Sequence, residues 1–205
     1  MKLAKFAIVC GAALTLAPAT HASVTQLFSA TDMSTVYVND FETSLNGGPV
    51  TISNAHIFDA ASASHSVTTS GSKGMLSDSF PTFITASLAN PFSAVGLHFG
   101  NDDLCCSNGF NATLEVFQGA TSLGSVSVAA NMNDHVDQFI GLSSTVAFDR
   151  VTLSYGAHTG LYIFADDFRV GHVAAVPEPQ TLALTLAGFA VVGAIARRKT
   201  VNPAA

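Results

Sequence analysis

An all-β fold, a jelly roll or β-sandwich, is predicted for the bulk of this chain, and three observations predict it. Short segments rich in Val, Ile, Phe and Thr recur between turn signals. Several alternate with period two: Val95-Leu97-Phe99, Leu114-Val116 and Val151-Leu153-Tyr155 each set alternate side chains on one face. No helical periodicity of useful length occurs before Gln180.

In chain order, residues 1–22 come first. Lys2 and Lys5 precede an apolar stretch over 6–17 and a small-residue site at Thr20-His21-Ala22. This is the layout of a secretory signal peptide, with cleavage before Ser23 and Ala17-Pro18-Ala19 as the alternative site. Cys10 sits too early for a lipoprotein anchor and would leave with the signal. Signal peptidase and an export machinery are the partners this implies.

Residues 23–173 form the exported domain, the size of one domain. Strands are expected at 35–41, 49–53, 56–59, 82–88, 94–99, 113–117, 122–128, 138–142, 148–155 and 161–170. Turn chemistry separates them at Asn46-Gly47-Gly48-Pro49, Ser70-Gly71-Ser72-Lys73-Gly74, Ser107-Asn108-Gly109 and 156–160. About ten strands at this spacing suggest a sandwich or jelly roll.

Residues 174–205 form a tail. The stretch 181–196 has no charge and only two hydroxyls, Thr181 and Thr185. As a helix it would be about 24 Å long, slightly short of a hydrocarbon core of ~30 Å. Arg197, Arg198 and Lys199 follow directly, can snorkel to the headgroups, and would keep the C-terminal end cytoplasmic. The alternative is a buried core helix, which rarely ends in three adjacent cations. Ahead of it, Pro177 and Pro179 impose an extended, exposed linker that suits a protease.

Charge narrows the possible partners. Between the two basic termini only Lys73, Arg150 and Arg169 are firm cations, against thirteen Asp and Glu, a net charge near −10. Nucleic acid and anionic lipid both require a basic face, so neither is a partner of this domain. Cys105 and Cys106 are the cysteines left after signal removal. Their Cα atoms lie ~3.8 Å apart, below the span that suits a disulfide. A strained vicinal bridge, two free thiols or a link to another chain remain open. A catalytic role is disfavoured.

Val176-Pro177-Glu178-Pro179, the apolar stretch and the basic cluster together resemble the PEP-CTERM sorting signal. The resemblance implies recognition by an exosortase, a membrane transpeptidase-like enzyme, and cleavage near Pro177-Glu178-Pro179. It further implies transient membrane anchoring, delivery to the cell surface or matrix, and association with exopolysaccharide and biofilm. The six residues after Lys199 depart from the usual pattern. From Phe92 onward a more diffuse pattern is similar to galactose-binding-like jelly rolls. It runs through Ala94-Val95-Gly96-Leu97-His98-Phe99, Phe148-Asp149-Arg150-Val151 and Ile163-Phe164-Ala165-Asp166-Asp167-Phe168. Such modules often bind carbohydrate and often hold a structural calcium with acids from both ends of the domain.

Candidate chemistry is sparse. In a jelly roll the first and last strands lie side by side, which would bring Asp40 and Glu42 to Asp166 and Asp167. Four carboxylates share a site cheaply only around a cation, and Ca²⁺ with six to eight oxygen ligands is the natural guest. The alternative is a set of solvated acids at a strand end. On strict alternation Asp166 would share a face with Phe164 and Phe168, and Asp167 with Ile163. The stretch 131–137 is rich in Asn and Asp but lacks calcium-loop spacing, so a plain turn is expected. Ser70-x-x-Lys73 lies in a Gly-Ser loop, not at a helix start, and no other hydrolase spacing occurs. An exported, non-enzymatic surface protein is the expectation. A carbohydrate-binding module is the second reading, weakened by the absence of Trp, and an exported hydrolase the third.

Overall fold

The computed structural model describes residues 22–60, 67–78, 83–100, 109–133, 135–156 and 161–173. Among these lie ten strands and one 3₁₀ turn, so the all-β expectation holds. The strands are β1 (Val24–Leu27), β2 (Met33–Asn39), β3 (Val50–Ser53), β4 (Ala55–Asp59) and β5 (Lys73–Ser77). They continue with β6 (Phe83–Gly100), β7 (Asn111–Gln118), β8 (Thr121–Ala129), β9 (Gln138–Ser154) and β10 (Phe164–Val173). Every pairing between them is antiparallel.

Two long strands build the sandwich. The sequence predicts separate strands at 82–88 and 94–99, and again at 138–142 and 148–155. The structure runs each pair together, as β6 and β9. The β6–β9 register shifts between Ser87 and Phe92 and again before Ala94. Pro91 falls in this interruption, where a missing ladder donor is tolerated. On one side of the bend, 83–87 of β6 and 150–154 of β9 pair with each other, flanked by β3 and by β7–β8. On the other side, 94–99 and 138–143 pair, flanked by β10 and β1. Beyond β10 the edge is shared by β5–β4 along its first residues and by β2 along the rest.

The two layers face each other. Ile52, Ile84, Ala86, Val151 and Leu153 from the first layer and Met75, Leu97 and Phe168 from the second surround a void of only about 10 Å³. This is close packing, with barely room for one water molecule. Each of these side chains except Ala86, buried from water, contributes about 1.5–3 kcal/mol in transfer terms. At one end Tyr155 donates its hydroxyl to the Gly100 carbonyl and lies 4.2 Å, centroid to centroid, from Phe110.

Two elements depart from the pattern reading. Val24–Leu27 alternates for only four residues, yet it adds to the edge of β9 as β1. Lys73 and Gly74 read as turn residues, but they open β5 and pair with Asp59 and Phe58. Gly74 is required there because a Cβ would lie 2.7 Å from the Phe58 ring.

Candidate functional site

Strand β10 carries the site. Its pairing with β6 is broken between Asp166 and Arg169, and Asp167 sits in the left-handed region at φ 54°. Asx residues tolerate that conformation better than most. The bulge cancels the alternation expected for this strand. Asp166 and Asp167 do not divide between two faces; both are buried, at 0% and 7% exposure.

Each carboxylate is satisfied from within the fold. Asp166 Oδ2 accepts the Ser70 N–H at 2.8 Å, and Oδ1 accepts the Asp167 N–H at 2.7 Å. Asp167 Oδ1 accepts the Ser70 hydroxyl at 3.0 Å, and its Oδ2 lies 2.7 Å from Arg169 Nη2. The same loop is held from the other side by Glu42, whose Oε1 accepts the N–H groups of Ser72 and Lys73 at 2.7 Å each. Lys73 Nζ donates to the Glu42 carbonyl at 3.2 Å. Gly71, at φ +53°, lies flush against the Glu42 carboxylate, in the space a Cβ would fill. Three acids thus strap down one tight loop, residues 70–73.

Electrostatics follow the burial. Loss of water raises the Asp166 carboxyl to about 6, a shift only partly opposed by the N–H donors of Ser70 and Asp167. Burial likewise lowers the His98 imidazole, with the Asp167 carboxylate opposing it. His98 Nδ1 lies 3.8 Å from Asp167 Oδ2, beyond hydrogen-bond reach, and its ring packs edge-on against Phe139 at 5.6 Å.

The expected neighbours therefore meet in part. The first long strand does pair with the last, Asn39 opposite Phe168. Glu42, Asp166 and Asp167 converge on the 70–73 loop. Asp40 instead accepts the Glu42 N–H at 3.2 Å and stays exposed. Among the described residues no three His, Cys, Asp or Glu side chains form a group that could hold a metal ion. In the structure these carboxylates are answered by backbone N–H groups, the Ser70 hydroxyl and Arg169; the sequence offered either calcium or solvated acids at a strand end. Ser70, His98 and Arg169 complete the site and are not signalled by spacing, because the bulge that gathers them has no sequence period.

Within the stretch 131–137, whose residue 134 lies outside the described residues, Asn131, Asn133, His135 and Asp137 form a second acidic centre around the Asp137 carboxylate. Asn131 Nδ2 donates to Asp137 Oδ1 at 2.9 Å and Asn133 Nδ2 to Asp137 Oδ2 at 2.8 Å. Asn133 Oδ1 accepts the His135 N–H at 3.0 Å. Cys105, Cys106, Val176, Pro177, Glu178, Pro179, Arg197, Arg198 and Lys199 lie outside the described residues. None of the described helices is long and apolar enough to cross a membrane.

Comparison with known proteins decides the tail. Residues 175–199 match the family described as the PEP-CTERM protein-sorting motif. The chain carries this sorting motif. It marks an exported protein with a C-terminal membrane anchor, as the residues of the tail predict. The chain matches no curated protein. Solved structures resemble its sandwich only loosely. One is the K2 cleaved adhesin domain of Lys-gingipain, at TM-score 0.46 and 12% identity, covering 65% of this chain and 98% of that one. Another is a family 29 carbohydrate-binding module, at 0.41 and 9%, covering 80% and 99%. A third is the C-terminal family 22 carbohydrate-binding module of Clostridium thermocellum Xyn10B, at 0.39 and 15%, covering 72% and 99%.

Proposed function

We propose that this PEP-CTERM protein is a non-enzymatic component of the cell surface or extracellular matrix, associated with exopolysaccharide or biofilm. In this reading residues 1–22 direct export and residues 23–173 are the functional domain. Residues 174–205 hold that domain at the membrane until an exosortase-type enzyme cuts near Pro177-Glu178-Pro179. The observation that carries the proposal is the sorting motif over 175–199.

The domain itself supports a non-catalytic role. Ser70 and Lys73, which carry the Ser-x-x-Lys spacing, are spent on structure: the Ser70 hydroxyl on Asp167, the Lys73 ammonium on the Glu42 carbonyl. Its net charge near −10 suits a soluble life outside the cell. The test is the C-terminal peptide of the protein in each cell fraction, read by mass spectrometry. Membrane-bound precursor should retain Arg197-Arg198-Lys199, and surface or released protein should end near Pro179. Released protein that still carries the basic cluster would overturn the proposal.

A further inference from the structure

The second acidic centre opens onto a hollow of about 420 Å³, lined by Val67, Thr68, Thr69, His135, Val136 and Asp137. Its two walls are tied together. Val67 and His135 form a parallel bridge, and the Val136 N–H donates to the Val67 carbonyl at 2.9 Å. The Thr69 hydroxyl donates to the Val136 carbonyl. A hollow built this way does not need to be ordered by its ligand.

The donor set defines the ligand. Asp137 is exposed, yet both its oxygens are oriented by the amides of Asn131 and Asn133. A carboxylate offers about four acceptor directions, so each oxygen keeps one for a ligand. A ligand that meets it must donate, as a hydroxyl does. The charge of Asp137 and the acidity of the whole domain repel an anionic polymer. A bare cation would meet the amide NH₂ groups already seated on both oxygens, and the described residues offer no group of three metal-ligating side chains. Val67, 57% exposed, supplies an apolar wall suited to the C–H face of a ring. His135 and Thr68 also line the hollow; the Thr68 hydroxyl, which donates to the Gly71 carbonyl at 3.1 Å, is left to accept from a ligand.

The position of the hollow matters as much. Gly100 packs flush on the His135 carbonyl and pairs with Phe164, the first residue of β10. Strand β10 leaves the sheet ten residues along, at Val173, just before the sorting motif. At ~3.3 Å per residue the strand separates the two by about 30 Å. The hollow therefore lies at the end of the domain away from the tail.

We infer that this hollow binds an uncharged saccharide, presented away from the membrane that holds the tail. This rests on the surface-protein reading and names its ligand class. The test is affinity electrophoresis of the full chain in a polyoxyethylene detergent. The gels contain dextran, galactomannan or xylan as uncharged polymers, and alginate as the uronate. At least one uncharged polymer should retard the protein and alginate should not. Asp137→Ala and His135→Ala should each weaken retardation about tenfold or more, equivalent to about 1.4 kcal/mol. Val36→Ala, on the tail-side strand β2, should leave it unchanged. If Asp137→Ala fails to fold, the exposed His135→Ala still decides. The inference is overturned if none of the uncharged polymers binds, if alginate binds as well as they do, or if both variants bind like the parent. Any of these leaves the sorting proposal standing, since that is read from the C-terminus alone.

Discussion

Asp166–Asp167 on β10 and Asp137 at the entrance to β9 are both carboxylates set among polar partners, but the first two are buried and the third is exposed. The β10 pair is closed. Its oxygens are occupied by Ser70, by backbone N–H groups and by Arg169, all within the packed body of the domain. Asp137 is open: two asparagine amides fix it, and the rest of each oxygen faces a hollow. Asp167 accepts one internal bond on each oxygen, as Asp137 does, so what separates the two centres is burial. Acids shut inside the packing hold a fold together, and an oriented acid left in solvent can meet a ligand. The difference teaches that a cluster of acids is read by what can still reach it, not by how many acids it holds.

The largest expected effect breaks the closed centre. Asp167→Ala strips Arg169 of its partner in a mostly buried position and should cost about 3–5 kcal/mol in unfolding free energy. Asp137→Ala, at an exposed site, should stay within about 1 kcal/mol. Denaturant titration of the two variants checks the contrast; equal losses would erase it.

Next in size is the pH response of Asp166. Its folded carboxyl sits near 6, above its ordinary value of 3.8, so the native state holds this proton more tightly than the unfolded chain does. The resulting stabilisation is fully present below about pH 4 and is lost as pH rises to about 6. Ser70 and Asp167 contact this group, His98 lies opposite it on β6, and Arg169 reaches it only through Asp167; Asp166→Asn keeps the side-chain shape and removes the titration. The parent should therefore lose stability relative to Asp166→Asn across that window, followed by thermal melts at each pH. Parallel curves would show that Asp166 does not titrate there.

The smallest effect is expected from chelation. Because N–H donors and Arg169 already answer Glu42, Asp166 and Asp167, EGTA should leave the melting temperature unchanged. A clear drop, abolished in Glu42→Gln with Asp166→Asn, would restore calcium to this centre.

Much of the fold is legible in the sequence because burial and pleat impose period two. Val95, Leu97, Leu114, Val116, Val151 and Leu153 all point inward as their alternation requires. The pairing of the first long strand with the last follows from the same architecture, and with it the convergence of Glu42, Asp166 and Asp167 on the 70–73 loop. What stays hidden depends on backbone breaks that carry no period. The left-handed Asp167 turns two neighbouring acids into one buried pair. Lys73 and Gly74 have turn chemistry but become a strand because β4 offers them a ladder. Asn131–Asp137 lacks the spacing of a calcium loop and reads as a plain turn. Its hollow exists only because Val67, about seventy residues earlier in the chain, forms the opposite wall.

The placement of β10 also has a mechanical consequence. The strand that leads into the sorting tail is not an edge; it is hydrogen-bonded to β6 on one side and to β5 and β2 on the other. Tension applied through the tail acts along this strand, nearly at right angles to the ladder bonds. Those bonds are loaded together in shear instead of being unzipped one after another. A domain tethered by such a strand keeps its shape under flow for as long as the tether lasts.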